Sequence, residues 1–181
     1  MYEMLRKKLD SLPKKSLLLV IVPAEFYHAV SMLILRHWMD ISQDAGTYVS
    51  LNRPFNNLMD SLATAKIDER KLFFVDCVTK NELDIPNCYF LKSQQNLKNL
   101  QLAISSLVKT RKPRFLILDS LNTVSLYNPR EKTKEFTNFL VNKARASQMD
   151  MILLATENNE NKEQLQELSA LCDRVIDLSE E

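Results

Sequence analysis

The chain has 181 residues, a formal net charge of +1 and 45% hydrophobic residues, enough for one domain with a real core and no global field that draws it to nucleic acid or a membrane. Its three cysteines (Cys77, Cys88, Cys172) lack C-x-x-C spacing and have only His28 and His37 as companions, which argues against a metal site or a disulfide framework and suits reduced thiols in the cytoplasm. The chain contains one glycine, Gly46, where ordinary usage of roughly 7% would give about a dozen, so a glycine-rich phosphate cradle is excluded.

The predicted elements alternate. Residues 2–12 place Leu5, Leu9 and Leu12 at helical spacing, giving a short amphipathic helix ended by Pro13, packed on or beside a single domain that takes in residues 1–181. The charged opening "MYEMLRKKLDSLPKK" lacks the apolar centre of a leader, and the apolar run at residues 17–22 is too short to span a bilayer. That run reads as a strand covered on both faces, and the 3–4 spacing of Phe26, Val30, Leu33, Ile34, His37 and Trp38 as a helix to about Ser42. "GTYVSLN" is a strand, and the next helix opens at Pro54. "KLFFVDCV" and the brief "CYFL" follow, then a helix with Ser93 as its expected N-cap, the strand "PRFLILDS", and a long helix within "NPREKTKEFTNFLVNKARAS". "MDMILLATE", "NKEQLQELSALC" and "DRVIDLS" complete the series as strand, helix and strand. Apolar strands alternating with helices predict an α/β fold: a doubly wound, mostly parallel sheet with helices on both faces.

Ligands of such folds sit beyond the carboxyl ends of the strands, here residues 23–28, 52–53, 76–79, 119–123 and 156–159. A phosphate loop after the first strand needs two glycines, a lysine and a hydroxyl residue. The corresponding positions in "PAEFYHAV" hold Pro23, His28, Ala29 and Val30, and Glu25 adds a carboxylate that repels phosphate. In "RFLILDSLNT", four apolar residues end in Asp119 and Ser120, the pattern of a strand that holds Mg²⁺ through water, although any buried strand ending in aspartate matches it.

"YVSLN" (48–52), "FVDC" (74–77), "ILDSLNT" (117–123) and "CDRVIDL" (172–178), in this order and spacing, resemble the RecA/KaiC-like ATPase superfamily, and among its members the small archaeal KaiC- and RadA-like paralogues. The resemblance implies a RecA-like core, with Asp119 as the Walker B aspartate and Ser120 as the serine after it. Active members carry a water-activating glutamate after the second strand, where this chain has Asn52 and Arg53. Asparagine cannot take the proton. With Walker A also degenerate, the resemblance implies a pseudo-ATPase, no enzyme, with no ATP or Mg²⁺ cofactor, acting through a protein partner or as a homo-oligomer.

Two alternatives remain: a nucleotide-binding sensor without hydrolysis, and a DNA recombination or repair accessory. For the latter, the basic cluster "KTRKPR" offers Lys109, Arg111, Lys112 and Arg114 as phosphate contacts, although the sequence shows no nearby aromatic residue for stacking, and nucleic acid is the less favoured partner. His28 and His37, nine residues apart, fall on opposite sides of one helix and cannot pair as ligands. Phe26, Tyr27, Phe55 and Tyr127 are expected to fill or line the cleft where a nucleotide would lie.

Overall fold

Among the described residues, seven short apolar runs become seven parallel strands. The computed structural model describes residues 2–12, 15–42, 45–80, 84–158 and 160–178. The strands are β1 (Leu17–Ile21), β2 (Gly46–Ser50), β3 (Leu72–Asp76), β4 (Cys88–Phe90), β5 (Phe115–Asp119), β6 (Asp150–Ala155) and β7 (Arg174–Asp177), in the order β4-β3-β2-β5-β6-β1-β7. All the pairings are parallel. The helices are α1 (Tyr2–Asp10), α2 (Tyr27–Ser42), α3 (Phe55–Thr64), α4 (Leu97–Arg111), α5 (Leu121–Tyr127), α6 (Arg130–Ser147) and α7 (Lys162–Ser169).

Strand periodicity divides the core into two layers. Leu17, Leu19, Val49, Val75, Leu116, Leu118 and Leu153 face one side, where α4–α7 cover them. Leu18, Val20, Tyr48, Phe74, Ile117 and Leu154 face the other, under α1–α3. Both faces are covered, so β1, β2 and β5 are buried throughout, which is why their sequences run apolar without alternation.

The single glycine serves this packing. Gly46 pairs in register with Phe115, and a Cβ on it would lie 2.1 Å from the Phe115 ring. Its φ is not positive, so close approach, not a special turn, requires glycine here.

Three expectations are corrected. The seven-residue helix α5 was not expected, because "LNTVSLY" is too short to show a period. Asn96, not Ser93, caps α4: Asn96 Oδ1 accepts from Asn99 N at 3.0 Å, while Ser93 Oγ accepts from Gln95 N in the preceding turn. The basic cluster does have an aromatic neighbour, since the sheet brings Phe73 under the Arg111 guanidinium, 5.0 Å from the ring centre. Pro13 and Asn159 lie outside the described residues. Among the described residues, no helix is long and apolar enough to cross a membrane.

Candidate functional site

The carboxyl ends of β1, β2 and β5 converge beneath the start of α2. Asp119 ends β5 on the same face as Phe115 and Ile117, and its register partner is Ser50 of β2. The chain leaves β2 through a tight turn in which Leu51 N donates to Asp119 O at 2.6 Å. Ser50 Oγ donates to Arg53 O at 2.6 Å and accepts from Arg53 N at 3.2 Å, folding residues 50–53 back over the strand end. That turn carries Asn52 and Arg53 to Asp119.

The Asp119 carboxylate is fully buried and takes four donors, two on each oxygen. Oδ1 accepts from Tyr27 Oη at 2.6 Å and Asn52 Nδ2 at 2.9 Å. Oδ2 accepts from Tyr48 Oη at 2.5 Å and Arg53 Nη2 at 2.5 Å. A carboxylate offers about four lone-pair sites, so this one is saturated. Arg53 extends the network: Nη2 also reaches Tyr48 Oη at 2.7 Å and Ser31 Oγ at 3.2 Å, and Nη1 meets His28 Nδ1 at 2.7 Å. A guanidinium only donates, so His28 Nδ1 accepts and the ring proton sits on Nε2. Ser31 is fixed by its own bond to His28 O at 2.9 Å.

The electrostatics match a buried ion pair ringed by neutral hydroxyls. Burial, then the Asp119 charge, pushes the Tyr27 and Tyr48 phenols well above their ordinary range, so both stay protonated and donate. Burial alone would lower the Arg53 pKa, but Tyr48 and Asp119 outweigh it and hold the group above its usual value. Arg53 Nε is buried and makes no hydrogen bond among the described residues.

Neighbouring strand ends are occupied in the same manner. Asp76, 1% exposed, accepts from Phe55 N at 2.7 Å, Val78 N at 2.6 Å and Thr79 N at 2.9 Å, and also from Thr79 Oγ1, so it caps α3 and organises the loop after β3. Asn122 ties β5 to β6 through a reciprocal pair with the backbone of Thr156, both bonds 2.7 Å long.

The expected site residues divide into two groups. Asn52, Arg53, Asp119 and His28 come together. Pro23 heads a 3-10 turn at Ala24–Phe26, Glu25 and Ala29 are exposed, and Val30 is a fully buried core residue. Ser120 is buried beside Asp119 across a cis peptide, its hydroxyl 3.3 Å from Thr123 Oγ1. Lys109, Arg111, Lys112 and Arg114 lie at the opposite, amino end of the strands. Of the four aromatics expected to fill or line the cleft, Tyr27 comes to the strand ends, where its hydroxyl donates to Asp119. Phe55 packs in the α3 layer against Phe74 and Phe90, while Phe26 and Tyr127 are exposed. Tyr48 and Ser31 were missed. The signal for Tyr48 lay in parity, since Tyr48 and Ser50 alternate onto the face that carries Asp119.

No protein-family profile matches the chain, and no curated protein matches it. Among solved structures, a KaiC-like protein from the hyperthermophilic archaeon Pyrococcus horikoshii OT3 shares the fold, with a TM-score of 0.64 at 18% identity. The similarity covers 81% of this chain and 65% of that one, so the chain spans less than two thirds of its neighbour. The seven-stranded parallel sheet with helices on both faces is thus a RecA-like α/β fold.

Proposed function

We propose that this chain is a non-catalytic RecA/KaiC-like domain, a pseudo-ATPase with degenerate Walker motifs that works by protein–protein contact or self-association. The observation that carries this reading is the saturated Asp119 carboxylate. A metal-holding aspartate must offer a lone pair to the ion or its water, whereas Asp119 has four donors and a guanidinium in contact. These residues do not fit Mg·ATP, and no catalytic step runs through them.

Support for a binding role comes from apolar side chains left at the surface. Leu126 and Tyr127 stand exposed after β5 and Phe26 after β1, and both edges of the sheet carry an exposed apolar residue, Tyr89 on β4 and Val175 on β7. Exposed edge strands and apolar residues are what a partner chain covers. The partner is a protein, either a second copy or another chain.

Thermal unfolding with and without millimolar Mg·ATP or ADP tests the proposal. A ligand at 1,000 times its Kd stabilises by about 4 kcal/mol, which raises the midpoint by roughly 8 °C or more for a domain of this size. The expected result is no shift beyond that of Mg²⁺ alone, together with a mass by light scattering that rises with protein concentration or with an added partner. A nucleotide-dependent shift that disappears in Asp119→Asn would make the chain a nucleotide sensor instead.

A further inference from the structure

The contact between α1 and α2 takes no part in the Asp119 network. α1 lies against α2, with Leu5 and Leu9 buried in the layer that also holds Ile34 and Trp38. Between the two helices is a hollow of about 110 Å³, lined by Arg6 and Asp10 of α1 and by Arg36, His37 and Asp40 of α2, among others. The two arginines and two aspartates balance in charge. A proton on His37 therefore leaves this contact one positive charge in excess.

Histidine is the side chain whose charge ordinarily changes between pH 5 and 8. The His37 side chain is 8% exposed, and its Nδ1 is 3.6 Å from Asp10 Oδ1, beyond hydrogen-bond length. Its Nε2 is buried with no partner among the described residues. A neutral imidazole tolerates this, since only one of its nitrogens carries a proton. A charged ring donates from both, and Nε2–H then has no acceptor while α1 stays in place. Asp10 offsets little of that charge, because its own side chain is 57% exposed and water screens it. The carbonyl end of α2 does not help either, since His37 stands before the last turn, where the helix dipole acts.

We infer that α1 is an acid-released helix: a proton on His37 loosens its contact with α2 and uncovers Leu5 and Leu9 while the sheet stays folded. Burial holds His37 below its ordinary range; the Asp10 charge opposes this, Arg6 adds to it and Asp40 opposes it. The ring thus takes its proton more readily once α1 has lifted. The closed contact is complete above about pH 6.5, the value of a free histidine, and weakens as pH falls toward the lower value of the closed state. This device does not depend on what the Asp119 end of the sheet binds.

Native-state hydrogen exchange at about pH 7.5 and 5.5, with rates corrected for the intrinsic effect of pH, tests this. Protection of the α1 amides should fall by about three- to tenfold, ten being the limit for one such proton. Urea well below the unfolding midpoint should leave α1 protection unchanged and lower that of the β5 amides, which open only with the whole chain. His37→Leu should abolish the fall with acid, and Asp10→Asn should retain it. Protection that stays constant with acid, or rises because the His37–Asp10 pair tightens, overturns the inference. So does a fall that persists in His37→Leu, disappears in Asp10→Asn, or follows β5 in urea, which would make the opening global.

Discussion

Arg53 Nη2 and Asp119 Oδ2 are 2.5 Å apart, with the carboxylate wholly buried and the arginine side chain 17% exposed. Removing one partner of a buried ion pair leaves an uncompensated charge and costs about 3–5 kcal/mol. Arg53→Met should therefore destabilise the protein by that amount in urea unfolding. Combining it with Asp119→Leu should cost less than the sum of the two single changes, by at least about 1 kcal/mol. Additive losses would mean the two groups act independently.

Packing around Gly46 makes a sharper steric prediction. A methyl group there meets the Phe115 ring at 2.1 Å, in register across the β2–β5 pair. Gly46→Ala should cost about 1–3 kcal/mol by overpacking, and Phe115→Leu in the same chain should recover part of that loss. If Gly46→Ala is neutral by thermal unfolding, the ring has room to move.

His37 gives stability a pH dependence. It is 9% exposed and packs edge-on to Trp38, with its Nδ1 3.6 Å from Asp10 Oδ1. Burial lowers its pKa, the Asp10 charge opposes that, Arg6 reinforces it and Asp40 opposes it. The folded state then binds the proton less readily than the unfolded chain. The contribution of this group is complete above about pH 6.5, the unfolded value, and is lost as pH falls from there toward the lower folded value. Urea midpoints measured from pH 7.5 to 5.5 should fall, and the fall should be smaller in His37→Leu. An equal slope in that variant would assign the effect to other groups.

Thiol chemistry offers a check on burial. Cys77, Cys88 and Cys172 are each pushed up to about 12, chiefly by burial, with neighbouring aspartate charges adding to it. At pH 8 the thiolate fraction is then about one part in ten thousand. Labelling by an aromatic disulfide reagent should be slow in the native protein and rapid in urea, and fast native labelling of Cys77 would show that its strand end opens readily.

Much of the fold was legible because buried strands reveal themselves by composition. "LLLVI" and "FLILD" are too apolar for one-sided burial, and their alternation with amphipathic helices implies the parallel layer. Asn52, Arg53 and Asp119 were legible as strand-end residues. That Arg53 turns inward was not, because its direction is set by the Ser50 hydroxyl turn, a local bond with no periodic signature. Tyr48 reads as an ordinary strand aromatic until the register places it beside Asp119. Phe26 and Tyr127 are expected in the cleft because they are large and follow strands, yet proximity to a strand end does not fix which way a side chain points.

The bonds to Asp119 join residues 66 to 92 positions apart in the chain. Contacts of such separation require large loops to close and tend to form after local structure. The network then acts as a late latch: weakening it should chiefly speed unfolding and leave the folding rate near its original value. Its contribution lies in how long the folded chain persists.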